Sequence, residues 1–193
     1  MSSRVLILNK IRKLNNVKEV PLPVIDDFGI TYENKIEKFQ DVIKTVGGQG
    51  LLSAKEDLDS LIKHLYPDAT VIASNVQGVT IGNIDCNDAS NPHELEKIDL
   101  AVVKGEFAVA ENGAVWLKNM DNKHRVLYFI AQNIVIIVNK KDIVNNMHEA
   151  YDKISFEKVG YGVFVSGPSK TADIEQSLVI GAHGPKSGYV IFI

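Results

Sequence analysis

Cysteine is nearly absent from this chain of 193 residues, where Cys86 stands alone. No internal disulfide can form, and an iron–sulphur cluster held by this chain alone is excluded, because one needs about four thiolates. Long apolar runs are missing as well. The N-terminal stretch MSSRVLILNK offers only Val5–Leu8, too short for the core of a secretory signal. Later apolar runs such as Ile134–Val138 fall far short of a membrane span. Neither sign of charge dominates: 21 Lys and Arg stand against 24 Asp and Glu, a formal net charge of −3. Such a balance exerts no general pull on nucleic acid or on an anionic membrane. The protein therefore reads as cytoplasmic, with neither nucleic acid nor membrane among its partners.

What is present is an ordinary globular composition, 45% hydrophobic and 23% charged. A domain of this size buries roughly 70% of its unfolded surface and stands without disulfide or metal. The reading is a single domain over residues 1–193, with an N-terminal helical arm and linker (1–30) and an α/β core (31–193). Ser2 or Ser3 caps a first helix that runs to about Leu14. Pro21 and Pro23 then mark VPLPVIDDFGI as an extended connection. Such a helix packs either on a partner or back on its own domain.

The core alternates helices and strands. A helix is predicted from about Tyr32 to Val46, with Ile36, Phe39 and Ile43 on one stripe and Gly47-Gly48 as its stop. Leu51-Leu52 is a short strand, and Lys55–Leu65 is a helix ended by Pro67. Thr70–Ala73 starts the next strand. The segment Asn75–Glu96 reads mostly as loop, with a short helix after Asn91-Pro92. Leu100–Val103, Phe107–Ala110 and Ala114–Leu117 read as strands joined by tight turns, Asn112-Gly113 being a strong turn signal. Arg125–Ala131 is expected to be helical, Ile134–Val138 a buried strand and Ile143–Tyr151 a helix. Val163–Val165 and Tyr189–Phe192 supply the last strands. Continuous apolar strands between helices indicate an α/β fold with a mainly parallel sheet covered by helices on both faces.

Several nucleotide and catalytic motifs fail in detail. Gly167-Pro168-Ser169-Lys170-Thr171 looks like a phosphate loop, yet Pro168 and Ser169 interrupt the required Gly-Lys-Thr. Gly48-Gln49-Gly50 and Gly160-Tyr161-Gly162 lack the third glycine of the dinucleotide fingerprint. The serine-hydrolase elbow fails at Thr171. Asp85, Cys86, Asp88 and His93 share a loop and could just reach a cation, but without metal-ligand spacing the competing reading, turn-forming Asp residues and a solvent-facing His93, is preferred, and neither metal nor cofactor is assigned.

What remains is loop chemistry at strand ends, where parallel sheets bind ligands. Three small-residue clusters are candidates: Ala110–Ala114, Ser166–Ser169 and Gly181–Pro185. A helix is expected to begin near Thr171. Its backbone N–H groups, with Ser169, Lys170 and Thr171, can hold an anion. Thr171 as a plain cap beside a solvated Lys170 is the competing reading, and Asp173 in the first turn fits the helix dipole in that reading. Asn112, Gly113, Ser166, Gly167 and Gly184 complete the candidate binding set. His183 is either an acid–base group or a structural histidine bonded to a turn. Glu111 is either a nucleophile or base, or a solvated turn carboxylate.

The stretch SGPSKTADIE at Ser166–Glu175, followed by GAHGP at Gly181–Pro185 and a final YVIFI, resembles the lactate-utilization protein C family of LUD-domain proteins. The resemblance follows the whole chain in order but is sharp only in its last third. It implies a fold similar to the sugar-phosphate isomerase and CoA-transferase-like superfamily. It also implies a component of an L-lactate oxidation system whose iron–sulphur partners carry the clusters. The expected ligand is a small carboxylate or a phosphate-containing molecule. Upstream, Ala110-Glu111-Asn112-Gly113-Ala114 departs from the family's Ala-Glu-Thr-Gly-Thr-like turn. Its Glu-Asn-Gly is similar to a segment of CoA transferases, which keeps open an acyl-transfer enzyme with Glu111 as nucleophile. A sugar-phosphate or nucleotide-binding protein of the same fold is the further alternative.

Overall fold

Five largely apolar strands pair with one another in a computed structural model of the chain, which describes residues 3–14, 21, 29–118, 122–155, 160–172, 178–181 and 183–193. They are β1 (Gln49–Leu52), β2 (Ile72–Ser74), β3 (Leu100–Lys104), β6 (Asn133–Val138) and β11 (Ser187–Phe192). Their order is β1-β11-β6-β3-β2, and every pairing is parallel. Parallel strands must be covered on both sides, and this sheet is. On one face Leu100, Val102, Val135, Ile137 and Ile191 meet Leu58 and Ile62 of α3 (Leu58–Leu65). On the other, Ala101, Val103, Ile134, Ile136 and Phe192 pack with Phe39 and Ile43 of α2 (Lys35–Thr45) and with Leu127 of α4 (Leu127–Ile130). Each such side chain stabilises the fold by roughly 1.5–3 kcal/mol through burial.

A second sheet of four strands completes the cover of that face, in the order β7-β4-β5-β8. These are β4 (Phe107–Val109), β5 (Ala114–Lys118), β7 (Ile143–Val144) and β8 (Gly162–Val165). Ala108, Val115 and Leu117 point into the shared core. Phe107, Trp116 and Phe164 point outward, beside Ala150 of α5 (Met147–Lys153). The chain passes from the first sheet to the second at Gly105, where a methyl group would press on Val138 and Ile136. Asn112-Gly113 turns β4 into β5 as the sequence indicates, with Gly113 at φ +66°.

Local chemistry shifts several boundaries. The helix expected over Ile143–Tyr151 is overturned at its start: Ile143 and Val144 pair with β4, and the helix begins at Met147 behind an Asn146 cap on Glu149 N–H. No helix begins at Thr171 among the described residues, and residues 173–177 lie outside them. Residues Lys170–Ala172 form β9 instead, antiparallel to β10 (Leu178–Ile180). In α2 the helix starts at Lys35, because Asn34 caps it through the N–H of Glu37. The N-terminal helix α1 (Ser3–Leu14) forms as read and buries none of its residues. Most of the proline-containing connection lies outside the described residues.

Candidate functional site

The carboxyl ends of β2, β3, β6 and β11 open onto a cavity of about 620 Å³. Its floor is the sheet itself, through Val102, Val103, Ile137 and Ile193. Polar residues stand where three of these strands stop: Asn75 after β2, Lys104 at the end of β3 and Asn139 after β6. Lys55, just beyond β1, and Lys118, at the end of β5, close the ring.

The loop after β2 is held open by its own hydrogen bonds. Ser74 Oγ accepts from Val76 N–H at 3.2 Å, and Gly78 turns at φ +92° with nothing near its α-carbon's free side. Farther on, the Asp59 carboxylate of α3 accepts from Thr80 N–H at 3.0 Å, which anchors the loop to that helix. Amides build the wall opposite. Asn75 Nδ2 donates to Asn122 Oδ1 at 3.2 Å, and Asn122 Nδ2 donates to the Tyr128 hydroxyl at 3.2 Å. Buried Cys86 lies under both, with its Sγ 3.4 Å from Asn75 Nδ2 and from Asn122 Oδ1. Burial raises the Cys86 thiol above its ordinary pKa, so the sulphur stays protonated and packs as a small apolar group.

The charged side chains of this cavity are of one sign. Lys55, Lys104 and Lys118 line it with the amides of Asn75, Gln77, Asn122 and Asn139, and no Asp or Glu side chain is among its described lining residues. Glu106 is the neighbouring acid, 3.8 Å from Lys104 Nζ in a half-exposed pair. A pair of that kind contributes under about 1 kcal/mol and leaves the lysine available. Ammonium groups above an apolar floor attract oxyanions, while the amides of Asn75, Asn122 and Asn139 also donate within the protein, to Asn122, Tyr128 and Asp142.

The residues singled out in the sequence lie at the other end of the sheet. Lys186 N–H donates to Gln132 O at 2.8 Å, just before β11 and β6 begin, and Ser169 N–H donates to Pro185 O at 2.9 Å. Ser166 and Asn112 do come together, the Ser166 hydroxyl donating to Asn112 O at 2.9 Å. Gly113 and Gly167 permit close packing on α2: a methyl at Gly113 would lie 3.1 Å from Ile43 Cα, and one at Gly167, where φ is +68°, 2.8 Å from Val46 O. Gly184 is packed against Ser169 in the same manner. The Glu111 carboxylate accepts from Met147 N–H at 3.3 Å, at the start of α5. Lys170 and His183 are exposed, Thr171 lies in β9, and Asp173 is outside the described residues. Thr171 pairs with Val179 in β9 and does not cap a helix there. Asp85 Oδ1 accepts from Asn87 N–H at 2.8 Å, as a turn former does, and the described residues contain no metal-holding cluster.

Comparison with known proteins agrees with this architecture. The model of the LUD domain matches residues 87–193. Over 134 residues the chain is 29% identical to lactate utilization protein C of Bacillus pumilus, covering 66% of this chain and 56% of that protein. Over 148 residues it is 30% identical to lactate utilization protein C of Geobacillus thermodenitrificans, covering 72% and 58%. The chain thus spans just over half the length of these two curated relatives. The crystal structure of a DUF162 family protein from Deinococcus radiodurans superposes with a TM-score of 0.66 at 18% identity, covering 82% of this chain and 95% of that one. That likeness concerns the fold. Among the described residues, no helix is long and apolar enough to cross a membrane. With more than half of its length matched by the domain model, the chain belongs to the LUD-domain family.

Proposed function

We propose that this chain serves lactate utilization as a component that binds an oxyanion, a small carboxylate or a phosphate, at the carboxyl ends of its parallel strands. The observation that carries the reading is the cavity formed there, with its three lysines and four side-chain amides. The pathway comes from the relatives named lactate utilization protein C. Oxidation of lactate to pyruvate releases two electrons. With one cysteine in the chain, clusters that carry them belong to iron–sulphur partner proteins.

Removing the chain's gene should impair growth on L-lactate and leave growth on glucose unchanged; equal growth on lactate in a strain without a paralogue contradicts the pathway. The site is tested separately by calorimetry with L-lactate, pyruvate and phosphate. A charge-assisted hydrogen bond contributes about 1.5–3 kcal/mol, so Lys104→Met should weaken the bound anion roughly tenfold or more. Unchanged affinity in that variant removes the site.

A further inference from the structure

A second cavity, of about 300 Å³, adjoins the first on the outer face of the four-stranded sheet. Phe107, Trp116 and Tyr161 supply its aromatic wall. Trp116 pairs across the strands with Phe107 on one side and Phe164 on the other, and its ring centroid lies 4.7 Å from that of Phe164. Gly162 is needed beneath it, because a methyl group there would collide with the indole. The ring is thus fixed from behind and half-exposed in front. Three cations stand beside this wall: Lys118, Lys153 with its Nζ 5.7 Å from the centre of the Phe107 ring, and Arg125 with its Cζ 5.1 Å from that of Tyr161. Lys118 lines both cavities. The ion pair of Lys104 with Glu106 ties one wall to the other.

We infer that the two cavities form one bipartite site for a nucleoside phosphate, with the base on Trp116 and the phosphates on Lys118, Lys104 and Lys55. The inference rests on the oxyanion reading above and names its ligand class. A small anion alone leaves the aromatic wall without a partner. A planar ring with a single charge, such as an arene carboxylate, uses one lysine, whereas a multiply charged phosphate uses all three. Stacking of a base on a fixed aromatic ring strengthens binding roughly tenfold or more over the phosphate alone.

Trp116 is the only tryptophan in the chain, so its emission reports on this cavity directly. The test titrates the full chain with ADP, adenosine and inorganic phosphate, following emission and, in parallel, calorimetric heat. The expected result is saturable quenching by ADP, with an affinity at least tenfold above that of phosphate or adenosine. Lys118→Met should weaken ADP at least tenfold, and Trp116→Phe should weaken ADP while leaving phosphate unchanged. Phosphate bound at the lysines, with ADP no tighter and the emission unmoved, overturns the inference and leaves the oxyanion site standing. No heat from ADP, phosphate, pyruvate or lactate overturns both.

Discussion

The two ends of the parallel sheet use their residues in opposite ways. At the amino end, Gly113, Gly167 and Gly184 let backbone approach backbone, and side-chain oxygens such as those of Ser166 and Glu111 bond to the chain itself. At the carboxyl end, the strands stop at lysines and amides that face an open cavity. A conspicuous motif of small residues therefore marks close packing here, and the cavity is lined by loops of unremarkable composition. Loops carry function when a rigid scaffold holds them, and both ends share one scaffold.

The sharpest way to break this contrast is to add a methyl group at the amino end. Gly167→Ala places a side chain 2.8 Å from Val46 O at φ +68°, a conformation that favours glycine. It should cost about 2–3 kcal/mol, and the melting temperature should fall by roughly 5–10 °C while anion affinity stays the same. An unchanged melting temperature with lost binding would turn the amino end into the site.

A smaller effect is expected from acid. Asp99, which precedes β3, accepts from Val71 N–H at 2.8 Å and from the N–H and hydroxyl of Thr70 at 2.9 Å each. These bonds, that from Val71 foremost, hold its carboxyl below the ordinary carboxylate range. A carboxylate lowered in the folded state stabilises it above the unfolded pKa, about 3.9, and that contribution disappears as pH falls through the lower folded value. Thermal melts between neutral pH and pH about 3 should therefore show a steeper acid decline in the wild type than in Asp99→Asn. Parallel declines would show that this carboxylate does not hold the amino ends of β2 and β3 together.

The smallest effect concerns Cys86, buried beneath the carboxyl-end amides. A thiol reagent at neutral pH should label it only on unfolding, because burial keeps it protonated. Bound anion should slow the labelling further by steadying Asn75. Rapid labelling of the folded chain would mean that the cavity floor is not closed.

Much of this architecture is legible in the sequence, because continuous apolar runs such as Ile134–Val138 leave few alternatives to buried parallel strands. The errors came where local pattern and tertiary pairing disagree. Ile143-Val144 reads as the start of a helix, but its β-branched residues are drawn into pairing with β4. Thr171 reads as a cap, yet its backbone pairs with Val179. The cavity was harder to see. Lys104, Lys118 and Asn122 belong to no motif, and only their position after a strand separates them from other surface residues. A polar residue at the end of an apolar run, as at Lys104, Lys118 and Asn139, is the available signal. Gly78 adds to it, as a glycine with nothing packed against it.

The most direct test of the central claim is calorimetry with phosphate and pyruvate on two double variants, one at each end of the sheet. Lys104→Met with Lys118→Met removes cations at the carboxyl end; Lys170→Met with His183→Ala removes the exposed groups at the amino end. The account predicts that the first loses anion binding by roughly a hundredfold, at about tenfold per lysine, and that the second binds as the wild type does. Binding lost in the second and kept in the first would contradict it.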